Sequence, residues 1–211
     1  MKTAVIGLGN IGSRVAANLA AGGERVIVSQ PNMAEARELA RKLGERVDAL
    51  PVEEALAQAD VIVLAVWFDV MKEFVARYRN ALVGKIVVDP SNPIAPNSKG
   101  GFDKILPADQ SSGGIIAGLL PPGTELVKAF GTVAADSLRS GANRKPERAV
   151  LFYATDFPEA GRVISRLITA SGFAPMSVGG IDKSIRIEAF GDLNQFGLGK
   201  LVSVKEAEAV L

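Results

Sequence analysis

Residues 3–12 read TAVIGLGNIG: a short apolar run entering three glycines spaced G-x-G-x-x-G. This stretch decides the fold. Thr3–Gly7 has strand character. From Asn10 to Ala21, Ile11, Val15 and Leu19 recur at helical spacing, and Gly22-Gly23 can stop that helix. Arg25–Ser29 (RVIVS) supplies a second strand where a strand–helix–strand unit needs one. In this setting each glycine has a job. Gly7 permits the tight turn, Gly9 lets the backbone approach a diphosphate, and Gly12 lets helix and strand pack closely. The N–H groups and dipole at the helix start then favour an anion. Gly7, Gly9, Asn10, Ile11 and Gly12 are therefore candidate dinucleotide contacts.

Working outward, apolar strand-length runs alternate with helical segments. Ala34–Leu43 reads as a helix closed by Gly44, and Glu53–Gln58 as a short one leading to Asp60. Val61–Val66 (VIVLAV) is continuously apolar, as strands buried on both faces are. Val70, Phe74, Tyr78 and Leu82 recur every four residues and predict a helix over 70–82 with that stripe buried. Lys85–Asp89 is a strand, and Pro90–Phe102 is too punctuated by Pro, Asn and Gly for regular structure. Ser111–Leu120 reads as a helix, Glu125–Phe130 as a strand, Ser137–Glu147 as a loop and Arg148–Tyr153 as a strand. Asp156 stands three before Glu159, the spacing of a capping box, at the head of a helix with Phe157, Ala160, Val163, Ile164, Leu167 and Ile168 on one face. Gly172 ends that helix and Ala174–Val178 is a strand. Gly179–Leu211 shows no period before Val204–Val210. This alternation predicts an α/β protein of Rossmann type: a doubly wound, mainly parallel sheet with a small C-terminal α/β extension. Residues 1–135 read as the dinucleotide-binding domain. Residues 136–211 read as a small region that completes the fold and covers an acceptor site.

Composition narrows the chemistry. The 211 residues carry 24 Lys+Arg against 23 Asp+Glu, a balance that argues against nucleic-acid or polybasic membrane surfaces. There is no Cys, so no disulfide, thiolate nucleophile or Cys-ligated metal. There is no His, so the commonest general base near neutral pH is missing, and no metal site is expected. Neither Tyr78 nor Tyr153 has a Lys four residues later. Asp60, Asp69 and Asp89 remain, with nothing in the sequence marking them as buried or paired; Asp60 reads as an element boundary. No catalytic residue can be named. What remains is hydride exchange between two redox cofactors, where the protein mainly orients and shields two rings. No targeting segment is visible and no apolar run reaches membrane-spanning length, so the expected location is cytoplasmic.

Other candidate contacts follow from strand ends, where such sheets bind ligands. The second strand ends at Ser29, Gln30, Pro31 and Asn32, with no acid in those four positions, which favours NADP(H) over NAD(H) at the adenosine ribose. Ser29, Gln30 and Asn32 can donate hydrogen bonds there, and Arg37 lies further on. Ala65, Val66 and Trp67 end the next central strand; Trp67 either walls the cofactor site or packs under the following helix. Ser91 and Asn92 follow Asp89, whose reading is loop chemistry. Ala129, Phe130 and Gly131 end a later strand, with Gly131 allowing close approach of backbone to a ring. Arg139, Arg144, Lys145 and Arg148 form either an anion-binding stretch or a solvated loop.

The ordered set AVIGLGNIG (4–12), ADVIVLAV (59–66), VVDPSNPI (87–94), LVKAFGTV (126–133) and ATDFPEAGRVISRLI (154–168) resembles the NADP oxidoreductase family that reduces or uses the deazaflavin coenzyme F-420. The cytoplasmic domain of the six-transmembrane epithelial antigen metalloreductases is similar. The resemblance implies NADP(H) at Gly7–Gly12, its 2′-phosphate near Ser29–Asn32, and nicotinamide near Val66, Trp67, Ala129 and Phe130. It also implies coenzyme F-420, a flavin or another small redox molecule as acceptor. Two departures stand out: the Arg that often follows the second strand is absent, and the position after Phe130, often Asn or His, is Gly131. The alternatives are a dinucleotide-binding sensor without chemistry, or a small-substrate imine or carbonyl reductase. The reading leaves room for a homodimer.

Overall fold

The computed structural model describes all of Met1–Leu211. In chain order the first elements are β1 (Thr3–Ile6), α1 (Gly12–Ala21), β2 (Val26–Ser29), α2 (Met33–Leu43), β3 (Val47–Ala49), α3 (Val52–Gln58), β4 (Val61–Leu64), α4 (Phe68–Arg77) and β5 (Ile86–Asp89). A hairpin of β6 (Ile94–Pro96) and β7 (Phe102–Lys104) follows, then α5 (Ser112–Leu119) and β8 (Glu125–Lys128). The C-terminal part comprises α6 (Ala135–Ser140), β9 (Val150–Tyr153), α7 (Pro158–Ala170), β10 (Ala174–Ser177), α8 (Ser184–Ile187), α9 (Gln195–Leu198) and α10 (Val204–Glu208).

The central sheet has six strands in the order β3-β2-β1-β4-β5-β8, all parallel. This is the doubly wound Rossmann arrangement, reversing direction at β1. Alternation along β1 explains the two-sided core. Val5 joins Val15, Leu19, Ile164 and Leu167 on one face, whereas Ala4 and Ile6 join Leu56, Met71, Leu82 and Ile116 on the other. The first of these clusters mixes residues from before and after position 135, including Leu138, Ala149 and Leu151. β9 and β10 form a separate parallel pair, tied to β8 by a single antiparallel bridge between Lys128 and Ala154. Against it Ile187, Leu193, Val202 and Ala207 complete a third cluster with Val150 and Phe152. No helix is long and apolar enough to cross a membrane.

Several local expectations change. The 94–104 region pairs as an antiparallel hairpin, its turn held by Asn97 Oδ1 accepting from Lys99 and Gly101 amides at 3.0 and 2.9 Å. The helix expected over 70–82 runs Phe68–Arg77 and continues as a 3-10 turn, Arg79–Leu82. It buries Phe68, Met71 and Val75, and Val70 is exposed. The buried stripe runs through positions 68, 71 and 75, with Phe74 and Tyr78 half-buried on its flank, and Val70 falls off that face. Part of the expected 137–147 loop is helical, as α6. Asp156 makes no capping box: Phe157 is the N-cap residue and Pro158 opens α7, while Asp156 accepts from the Ile181 amide at 2.9 Å, tying β10's exit to this turn. Three residues of β3, absent from the sequence reading, extend the sheet edge.

Candidate functional site

The three glycines do separate things, and the geometry shows each. Gly7 sits at φ +90°, and a Cβ there would lie 2.5 Å from the Ala65 carbonyl oxygen. At Gly12 a Cβ would lie 1.9 Å from the Gly7 oxygen and 2.9 Å from Ala65 Cβ, so α1 can begin only this close to β1 and β4 without a side chain. At Gly9 a Cβ would meet nothing within 4 Å. Gly9 is free because it faces open space. The amides of Gly9, Asn10 and Ile11 donate to no group in the chain. Ile11, the N-cap residue of α1, offers no side-chain cap, and the first turn has no acidic residue. The carbonyls there are satisfied: Gly9 accepts from Ser13 Oγ at 2.7 Å and Asn10 from Arg14 Nη1 at 2.8 Å. Unbonded donors at the positive end of a ten-residue helix, with an open approach, fit a diphosphate.

The ribose end departs from expectation. Ser29 is fully buried, and its hydroxyl has no partner. Asn32 caps α2, accepting from the Ala34 amide at 3.2 Å. The Gln30 and Asn32 amide groups both donate to Glu35, at 2.7 Å each. The acid missing from positions 29–32 is thus supplied one helical turn later. The N-x-x-E spacing of Asn32 and Glu35 was the signal for it.

At the opposite end, Ala65 and Val66 back the Gly7 turn, and Trp67 is 56% exposed. Its ring lies 6.4 Å from that of Phe102 on the hairpin, at a 38° tilt. It therefore does not pack under α4, a place taken by Phe68, Met71 and Val75. Ala129 and Phe130 are buried as whole residues, backbone included, so neither offers a ligand an open surface. Phe130 adopts φ 65°. Gly131 is glycine because a Cβ would lie 2.3 Å from the Pro90 oxygen, not to admit a ring. Ser91 is buried, with its hydroxyl unpartnered. Asn92 is a bridge: its amide donates to the Gly131 oxygen at 3.0 Å and its oxygen accepts from the Ala189 amide at 2.6 Å.

Asp89 is the largest revision. Its expected loop chemistry is present, one carboxylate oxygen accepting from the Ser91 amide at 2.7 Å, but the side chain is also fully buried and its other oxygen lies 2.8 Å from Lys128 Nζ on the neighbouring strand. Lys128 also donates to the Ser91 oxygen at 2.5 Å and Ser112 Oγ at 2.7 Å. Glu188, buried and 3.8 Å from Lys128, accepts from Ser112 N, Ser112 Oγ and Gly113 N at the head of α5. Two carboxylates, one ammonium and a helix N-terminus form a closed cluster that staples the C-terminal segment to the sheet's ligand-binding end. Asn194 and Gln195 add to the staple through Gly131, Thr132 and Ala134. The sequence hid this cluster because its three charged members, Asp89, Lys128 and Glu188, are 39 to 99 residues apart. The only hint was a charge ending each of two adjacent apolar strands.

The segment so held presents Phe190, 63% exposed and at φ 70°. Arg186 closes the turn around it by a forked contact to Asp192, 2.7 Å at its shortest. That hydrogen-bonded guanidinium holds the Asp192 carboxyl below its ordinary range. In the basic stretch Arg144 donates to the Glu147 and Leu201 carbonyls, Arg148 donates to the Thr169 carbonyl and Arg139 pairs with Asp136, while Lys145 is exposed. No group of three or more Asp or Glu side chains is placed to hold a metal ion.

Comparison with known proteins sharpens this picture. A family described as NADP oxidoreductase coenzyme F420-dependent matches residues 2–93. Among solved structures, the hypothetical protein SMa0349 from Sinorhizobium meliloti is 32% identical, with TM-score 0.79, over 90% of this chain and 91% of that one. A protein from Arthrobacter sp. FB24, described as an F420-dependent NADP reductase, is 20% identical, with TM-score 0.77, over 95% and 96%. The reductive aminase of Aspergillus terreus, solved with NADPH, shares the fold at 15% identity and TM-score 0.63, the match covering 94% of this chain and 58% of that one. A search of curated proteins gives no match. The glycine turn and five of the six strands of its sheet lie within the matched residues, and the chain belongs to the NADP oxidoreductase coenzyme F420-dependent family.

Proposed function

We propose that this protein carries out hydride transfer between a nicotinamide dinucleotide, the NADP(H) of its family or NAD(H), and a planar ring acceptor of the flavin or deazaflavin kind. One observation carries the reading: the open α1 terminus, with Gly9 facing free space and three unbonded amides, sits at the reversal point of a doubly wound sheet. The amides of Gly9, Asn10 and Ile11 hold the diphosphate. The strand end at Ala65–Trp67, half-buried to exposed, fixes the nicotinamide end. A bound reduced nicotinamide supplies the hydride. The protein's part is to orient the rings and exclude water, which suits a chain without His and with Asp89, Lys128 and Glu188 locked together. Residues 136–211, anchored through Glu188, Asn194 and Gln195, cover the acceptor site. A proton for the acceptor comes from water.

The test is to mix the protein with NADPH, then NADH, against coenzyme F-420, FMN and riboflavin, and follow loss of the reduced nicotinamide absorbance. Turnover with at least one ring is expected. Tight binding without turnover of any ring would reject the hydride-transfer reading and favour a dinucleotide sensor.

A further inference from the structure

Residues 29–35 read SQPNMAE, and the local physics gives each polar group a role. Asn32 caps α2. This puts Glu35 at the third helical position, where its carboxylate folds back over the β2 exit. One oxygen accepts from Asn32 Nδ2 and the other from Gln30 Nε2, both at 2.7 Å. Gln30 also donates to the Asn32 carbonyl at 3.3 Å. The side-chain donors at the strand end are therefore engaged, and Ser29 is buried. Arg37 does not replace them. It lies two residues beyond Glu35, which on a helix is nearly the opposite side, and it forms no ion pair.

A ribose 2′-phosphate would bring about −1.5 to −2 charges beside this carboxylate, with no cation to offset them. A ribose 2′-hydroxyl is a donor, and a carboxylate already accepting two hydrogen bonds has lone pairs left for it. We propose that Glu35 is a cofactor-selecting residue that turns the ribose end toward a free 2′-hydroxyl. This chain then binds NADH at least as tightly as NADPH, a departure from its family. The assignment rests on the dinucleotide lying along the glycine turn, as proposed above.

Calorimetric titration of NADH and NADPH into the wild type, Glu35→Gln and Glu35→Arg tests it, with Tm measured on each. The ratio of the two dissociation constants is the readout, since a purely structural cap would weaken both cofactors alike. Wild type is expected to show NADH equal or tighter. Glu35→Gln should move the ratio toward NADPH by about tenfold, and Glu35→Arg further. Wild type preferring NADPH tenfold or more, or a ratio moved less than twofold by both variants, would overturn the role of Glu35 alone. Failure of either cofactor to bind wild type would overturn the underlying placement as well.

Discussion

Gly9→Ala and Gly12→Ala should have opposite consequences, and the difference follows from where each Cβ would point. At Gly12 the new atom would sit 1.9 Å from the Gly7 oxygen and 2.9 Å from Ala65 Cβ, so the start of α1 must move off β1. Overpacking of this kind costs about 1–3 kcal/mol or more. For a chain of this size that lowers Tm by roughly 5–10 °C. At Gly9 the new atom meets nothing within 4 Å, so the fold should be unaffected or slightly firmer. The same atom stands where a diphosphate must approach. Hydrogen bonds from amides to a charged group contribute about 1.5–3 kcal/mol each, so holding the anion off one or two of them costs about 3 kcal/mol, or roughly 150-fold in Kd. Differential scanning fluorimetry and calorimetric titration of NADPH and NADH read both effects. Gly9→Ala with unchanged Tm and affinity within twofold of wild type would refute the placement of the diphosphate.

Other perturbations probe separate parts of the account. Lys128→Met leaves Asp89 and Glu188 buried without their cation; a loss of about 3–5 kcal/mol and a Tm lower by roughly 10 °C are expected, and a neutral result would show that the staple is dispensable. Phe190→Gly removes a left-handed backbone strain of about 1 kcal/mol from an exposed residue, so Tm should rise by about 2–4 °C; a fall would mean that the ring packs on the protein. Glu206 is held down to about 2 by Lys200 and the capping box with Ser203. A depressed folded-state pKa stabilises above the unfolded value of 4.5 and is lost as pH falls toward about 2. Wild type should therefore lose more Tm than Glu206→Gln over that interval, and equal losses would contradict the contribution of this cap.

The parts of the fold legible in the sequence are those specified by neighbours along the chain. β4 is continuously apolar, and β1 apolar after Thr3, because both faces are covered, and the glycine spacing encodes turn, approach and packing within ten residues. What escaped depends on partners distant in sequence. β3 is three residues long and is recognisable only by its register on β2. The hairpin of β6 and β7 is held by Asn97, a residue that reads equally well as loop. Asp89 and Lys128 each look like ordinary strand-end polar residues until the pairing of β5 with β8 sets them opposite one another. Glu188 then arrives from a segment with no periodicity. At the candidate site, Gly7, Gly9 and Gly12 are readable directly; the engagement of Gln30 and Asn32 by Glu35 is signalled only by the N-x-x-E spacing, which has that meaning once α2 is known to begin at Met33.

The central claim is that amides opening α1 grip the diphosphate of a nicotinamide dinucleotide. Backbone 15N–1H spectra of the isotopically labelled protein, recorded as NADH and then NADPH is added, test it most directly. The account predicts saturable shifts largest at Gly9, Asn10 and Ile11, with the titration moved to roughly 150-fold higher dinucleotide in Gly9→Ala. Resonances at those three positions that stay fixed at millimolar dinucleotide would contradict it.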